Sequence, residues 1–298
     1  MNGCPNGKHG ARTATLFLLI SLCLLAPSTS SGATSSPAVQ AVQATPQASS
    51  AQSTPQRLQP ETAFALMSAE AGKGNADAML NLGRFYEQGV GIARNYTKAL
   101  EWYEKSAKAG LAAGYYNVGV CYEIGMGVTA EPAKALQNFQ KAADMGMTLA
   151  MHKLSSVFIA GTGTAKDAAK GIAWLEKAAS AGVAAAASDL GAIYLAGLLG
   201  QKKDEKKALS AFEKAADLGS LEAVKSIAGM YKDGTGTKAD PAAAYRWYCI
   251  ARRGGYTGED LARMLGLLEG SLSTAQVQQA QKDADIWLEN YARRQAGK

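Results

Sequence analysis

The chain has 298 residues, of which 47% are hydrophobic, 19% charged and 7% aromatic, and its formal net charge is +6. A basic excess this mild, with the two signs interspersed, excludes the footprint of a nucleic-acid-binding protein, and four cysteines in such a length exclude a disulfide framework. Much of the apolar content is alanine, which predicts helices that approach one another closely.

Lys8 and Arg12 precede an apolar run over residues 14–26, and small residues follow up to Ser31, Gly32 and Ala33. This is the layout of a secretory signal peptide over residues 1–33, with cleavage expected after Ala33 and Ala26 as the second candidate site. The apolar run falls short of the roughly 20 residues that a spanning helix needs, so no membrane span is expected after cleavage. A retained anchor is the alternative, and Leu22 before Cys23 speaks against lipid attachment. Cleavage removes Lys8 and Arg12, lowering the charge by two to +4, and leaves only Cys121 and Cys249. Export places the protein in the periplasm of a Gram-negative bacterium or outside the cell.

Residues 34–60 consist almost entirely of Ala, Gln, Ser, Thr, Pro and Val, with Arg57 as the single charge. Too little apolar surface is present to offset chain entropy, so a disordered linker is expected. Order is expected near Pro60 and Glu61, where Ala63, Leu66, Met67 and Ala71 recur at helical spacing over residues 61–73. This segment reads as a half-repeat, the second helix of a unit whose first helix is missing.

From residue 74 to 255 one pattern is written five times. Its opening glycine stands at Gly74, Gly110, Gly146, Gly182, Gly219 and Gly255, at steps of 36 or 37 residues. An aromatic column runs through Tyr86, Tyr122, Phe158, Tyr194 and Tyr231, and a glycine column through Gly89, Gly125, Gly161, Gly197 and Gly234. Between them, an apolar residue is followed by a small one at Leu82-Gly83, Val118-Gly119, Leu154-Ser155, Leu190-Gly191 and Ile227-Ala228. Independent columns at such a period mean stacked supersecondary units. Each unit reads as two helices. The first ends at its glycine column, and the second is capped by Asn95, Glu131, Asp167, Asp204 or Asp240, with Pro132 and Pro241 just inside. The pairs Trp102-Tyr103, Asn138-Phe139, Trp174-Leu175, Ala211-Phe212 and Trp247-Tyr248 are expected to fill the core between neighbouring helix pairs. Cys121 and Cys249 fall in the second and fifth units, too distant to bridge when only adjacent units touch, and read as separate buried thiols.

Within one unit Leu82, Gly83, Tyr86, Gly89, Gly91, Lys98, Ala99, Trp102, Lys105 and Ala107 together fit a known pattern. The chain resembles the Sel-one-like repeats, relatives of the tetratricopeptide repeat, over residues 61–255. That resemblance implies an all-α, right-handed α-solenoid of about five helix-turn-helix repeats with terminal capping helices. The fourth repeat departs most, with an inserted residue around Leu198, Leu199 and Gly200. Beyond Gly255 the period fades. Residues 256–298 are expected to cap the array, the last helix opening with a capping box at Ser273 and Gln276, and binding of a partner by that amphipathic helix is the alternative.

The chain carries few chemistry-bearing motifs. After cleavage His152 is the one histidine, no CxxC or HExxH is present, and Gly161-Thr162-Gly163 and Gly234-Thr235-Gly236 lack the Lys-Ser/Thr and the strand of a phosphate loop. No catalytic residue, cofactor or metal is expected. Asn95-Tyr96-Thr97 fits a glycosylation sequon, but its asparagine occupies the capping column.

What remains is a surface. In tetratricopeptide-like arrays the first helix of each unit lines the concave face, and the resemblance transfers three columns to it. The first holds Leu80, Tyr116, His152, Ser188 and Lys225. The second holds Arg84, Val120, Ser156, Ala192 and Gly229, and the third Glu87, Glu123, Ile159, Leu195 and Lys232. The ends of these columns are charged and their middle is apolar or small, so a groove for an extended peptide or amphipathic helix is expected, with Tyr116 and His152 as central contacts. Coverage of that middle by the chain's own tail or by a homodimer is the alternative. The resemblance also implies two other functions: secreted cysteine-rich relatives include β-lactam-binding or hydrolysing proteins, whose paired cysteines are missing here, and a secreted host-directed effector is a further alternative.

Overall fold

The structure is a computed structural model that describes residues 59–296, so the expected signal peptide at 1–33 and nearly all of the expected linker lie outside the described residues. Thirteen helices and no strand are described. They are α1 (Pro60–Gly72), α2 (Ala76–Gln88), α3 (Tyr96–Lys108), α4 (Ala112–Ile124), α5 (Pro132–Asp144), α6 (Thr148–Ala160) and α7 (Ala168–Ser180), then α8 (Ala184–Ala196), α9 (Glu205–Asp217), α10 (Leu221–Asp233), α11 (Pro241–Arg253), α12 (Glu259–Glu269) and α13 (Thr274–Ala296). From α1 to α12 each helix packs on the next, and α13 returns to pack on α11, giving an all-α repeat solenoid.

Local chemistry sets the helix ends. Every first helix stops at a glycine in the left-handed region, Gly89 at φ 74° and Gly125 at φ 75° among them, and the Gly89 amide donates to the Phe85 carbonyl. At the second helices, side chains of Asn95, Asp167, Asp204 and Asp240 accept from the amide three residues on. Glu131 departs from the expected cap. Its carboxylate makes no capping bond and instead accepts from Lys134 Nζ at 2.8 Å, because the extra methylene carries the oxygens past the free amides.

The apolar-small column has a packing cause. A Cβ placed on Gly119 would stand 2.6 Å from the Phe139 ring, and one on Gly191 2.7 Å from Phe212, so the second helix's aromatic ring rests directly on the first helix's backbone. Tyr103, Phe139, Leu175, Phe212 and Tyr248 are accordingly buried. Their neighbours correct the expectation that both members of each pair are core. Trp102 and Trp174 are half-buried under Lys105 and Lys177, whose Nζ atoms lie 3.9 and 4.1 Å from the ring centroids, and Asn138 bonds the Lys134 carbonyl. Trp247 alone of that column's tryptophans is buried, because Trp287 of α13 meets it edge-on at 5.6 Å.

In every unit but the fourth, where a Cβ on Gly200 would meet nothing within 4 Å, the second loop glycine locks the unit to the one before. Gly127 presses on the backbone of Tyr96 and Thr97, Gly163 on Pro132 and Ala133, Gly236 on Glu205, and Gly91 on Pro60 and Glu61. The last contact seats α1 where the second helix of a preceding unit would lie. At the other end, the Gln276 amide donates to Ser273 Oγ and the Ser273 amide to Gln276 Oε1, completing the capping box of α13.

Candidate functional site

The first helices α2, α4, α6, α8 and α10 lie side by side along one face, and the three columns behave differently on it. In the first column four of the five residues reach sideways. Tyr116 tilts on the Phe139 ring at 5.5 Å. His152 Nε2 and Asp189 Oδ2 are 2.9 Å apart across α6 and α8. Ser188 donates to Ser220 Oγ at 3.1 Å, and Lys225 Nζ to the Tyr256 hydroxyl at 2.7 Å. Leu80 corrects the expected set. Only 6% exposed, it packs with Leu100, Tyr103 and Val118 and has no surface to offer a partner.

The second column is the most open. Arg84 and Ala192 are exposed, Val120, Ser156 and Gly229 are half-buried, and a Cβ on Gly229 would meet nothing within 4 Å. The third column turns largely inward. Glu87 accepts the hydroxyl of Tyr103, a buried residue 1% exposed, Ile159 covers Gly171 of α7, and Leu195 packs on the core. Glu123 and Lys232 differ. Glu123 Oε2 pairs with Lys153 Nζ at 2.7 Å across α4 and α6, and Lys232 pairs with Asp233.

Sequence reasoning missed Lys153 and Asp189, which sit one place before the apolar column and supply the partners of Glu123 and His152. Their signal was available: at that place the repeats carry Asn81, Asn117, Lys153, Asp189 and Ser226, with charge confined to the third and fourth units. The centre of the face is therefore polar and internally paired, not simply apolar or small.

Burial governs the ionisation of the groups beneath the face. The Tyr103 phenol is pushed well above its ordinary range, first by burial and then by its bond to Glu87. Burial, with Glu87 and Glu104 adding to it, pushes the Cys121 thiol up to about 12, and burial raises Cys249 too. Both thiols are free and buried, the state of least nucleophilic character. Among the described residues no group of three or more His, Cys, Asp or Glu is arranged to hold a metal ion, and no helix is long and apolar enough to cross a membrane.

A family model for the Sel1 repeat matches residues 76–111, 112–147, 148–183, 184–220 and 227–256. Among solved structures, a Sel1 repeat protein from Oxalobacter formigenes is 28% identical, with 76% of this chain and 94% of that one covered at a TM-score of 0.61. An immunity protein from Pseudomonas aeruginosa is 23% identical over 79% of this chain and 80% of that one, at a TM-score of 0.42. A protective antigen of uropathogenic Escherichia coli displaying an SLR fold is 25% identical over 79% of this chain and 58% of that one, at 0.44. No curated protein sequence matches. The first four matched units coincide with the helix pairs α2–α3 to α8–α9 and the fifth begins inside α10 and runs through α11, so the chain belongs to the Sel1 repeat family, whose repeats generally mediate protein interactions.

Proposed function

We propose that the protein is an exported, non-catalytic scaffold that holds a polypeptide partner, as an extended peptide or an amphipathic helix, along the concave face of α2, α4, α6, α8 and α10. One observation carries this reading: five helices built to one pattern present unlike side chains in equivalent places, while cross-repeat contacts such as Glu123–Lys153 and His152–Asp189 hold those places in fixed register. A preorganised polar surface with open sites between its pairs suits recognition, since ordering costs are met before binding. The layout of residues 1–33 supports export.

Photo-crosslinking of the tagged protein in its own cells, followed by recapture of the identified partner with purified variants, tests the reading. Arg84→Glu and Ser156→Arg, both on the open column, are expected to weaken recapture about tenfold, the order of one charged hydrogen bond. Lys206→Glu, on the exposed side of α9, serves as the control and leaves recapture unchanged. Mass spectrometry of the same material is expected to find the chain starting at Thr34. Recapture within twofold of wild type by both column variants overturns the groove, and a chain retaining residues 1–33 overturns cleavage of the signal.

A further inference from the structure

The first-helix row ends at α12, which stands after α10 where a sixth unit's first helix would lie. Between α10 and α12 opens a cavity of about 430 Å³, walled by Tyr248, Tyr256, Leu261 and Met264. Gly229 makes room for it, because the column that carries Arg84, Val120, Ser156 and Ala192 in the other units has no side chain here.

The charges around this cavity are not equivalent. Lys232 pairs with Asp233 at 2.7 Å and Arg263 with Asp260 at 3.3 Å. Lys225 makes no ion pair among the residues whose side chains are described, and its ammonium donates to the neutral Tyr256 hydroxyl at 2.7 Å. An ammonium carries three N–H donors and a phenol that accepts one of them keeps its own O–H. Two N–H groups and one O–H therefore remain at one point of the wall, a donor set that matches two carboxylate oxygens. Glu222, exposed at the rim three residues before Lys225, and Asp260 are the opposing charges.

We infer that this cavity takes the C-terminal residue of a polypeptide lying along the first-helix face, its α-carboxylate on Lys225 Nζ and the Tyr256 hydroxyl and its apolar side chain against Leu261 and Met264. A chain terminus fits better than an internal acidic residue because the cavity lies in the last gap of the row, where a bound chain must end or leave. The inference rests on the groove reading and names the end of the partner it holds.

Fluorescence anisotropy with three pools of fluorescein-labelled mixed 15-residue peptides, long enough at about 3.3 Å per residue to run from Lys225 back to Arg84, tests it. One pool ends in leucine with a free carboxylate, the second in leucine amide, and the third in glutamate amide, which carries only a side-chain carboxylate. The free-acid pool is expected to bind about tenfold tighter than the leucine amide. Lys225→Met should erase that difference, while Tyr256→Phe, which keeps the ring, should reduce it about threefold. Equal binding of acid and amide, a difference that survives Lys225→Met, or no binding by either pool overturns the pocket, as does a glutamate amide that matches the free acid. The two readings separate through Arg84→Glu. Acid preference that depends on Lys225 but binding untouched by Arg84→Glu keeps the pocket and rejects the groove. Binding lost with Arg84→Glu but without acid preference keeps the groove and rejects the pocket.

Discussion

Single residues fix the geometry of this array where backbone meets backbone. Gly110 and Gly127 both have positive φ, 90° and 73°, yet their surroundings differ. A Cβ on Gly110 would meet nothing within 4 Å, whereas one on Gly127 would stand 2.7 Å from the Thr97 amide nitrogen, with the Tyr96 carbonyl closer still. Gly110→Ala therefore carries only the left-handed penalty, about 1–2 kcal/mol. Gly127→Ala adds the displacement of a neighbouring helix start, about 1–3 kcal/mol more. Urea unfolding of the two variants should show Gly127→Ala as clearly the less stable, and equal losses would mean that the inter-unit contact does not constrain the loop. At this scale the sequence was legible for caps and turns, because Asn95 and Gly89 act on amides and carbonyls a few residues away. It was not legible for Leu80, whose burial depends on Leu100 and Val118 of two other helices, nor for His152, whose partner Asp189 lies in the next unit.

Among the elements, α13 departs most from the period. It spans 23 residues against 13 in each helix of the five units, and it closes the array by laying Trp287 against Trp247 and stacking it on Tyr291 at 5.5 Å. Gln281 Nε2 donates to the Tyr245 hydroxyl at 3.0 Å, and Arg294 reaches Asp217 at the end of α9 at 2.9 Å. These contacts make α13 a structural closure of α11. Trp287→Ala is expected to cost about 3 kcal/mol through lost ring contact and the cavity it leaves, measured as a shift of the urea midpoint. Ile286→Ala, on the 47% exposed neighbour, should change it by less than about 0.5 kcal/mol. Similar losses for the two would refute the closure. The amphipathic spacing of Val277, Ala280, Ala284, Trp287 and Leu288 announced a helix with one apolar face. Which surface that face would cover needed the position of Trp247, left open only because the units stop.

For the whole molecule, the buried titratable groups point one way. Burial raises the phenol of Tyr103 and the thiols of Cys121 and Cys249 above their ordinary values, so the native state holds these protons more tightly than the unfolded chain. As pH climbs past the unfolded thiol value of about 8.5, the unfolded state loses protons first and gains in stability relative to the native one. The stabilising contribution is thus complete below about pH 8.5 and is lost as pH rises toward the Cys121 value of about 12. Urea midpoints should fall steadily from pH 8.5 to 11, and Cys121→Val should flatten part of that fall, since it removes the thiol and keeps an apolar side chain. A midpoint independent of pH over this range would show that the groups ionise freely in the native state.

The repeat, its period, its helix boundaries and its family were determined by the sequence itself, because each rests on interactions within one unit that the chain repeats five times: a glycine that permits positive φ, a carboxylate that caps the next turn, a small residue beneath an aromatic ring. Which side chains remain on the surface was decided only by stacking. The pairs Glu123–Lys153 and His152–Asp189 and the cavity between α10 and α12 arise between units, and the burial of Leu80 needs Val118 of the next unit beside Leu100 of its own; there side chains distant in sequence share one face and no local rule specifies their partners.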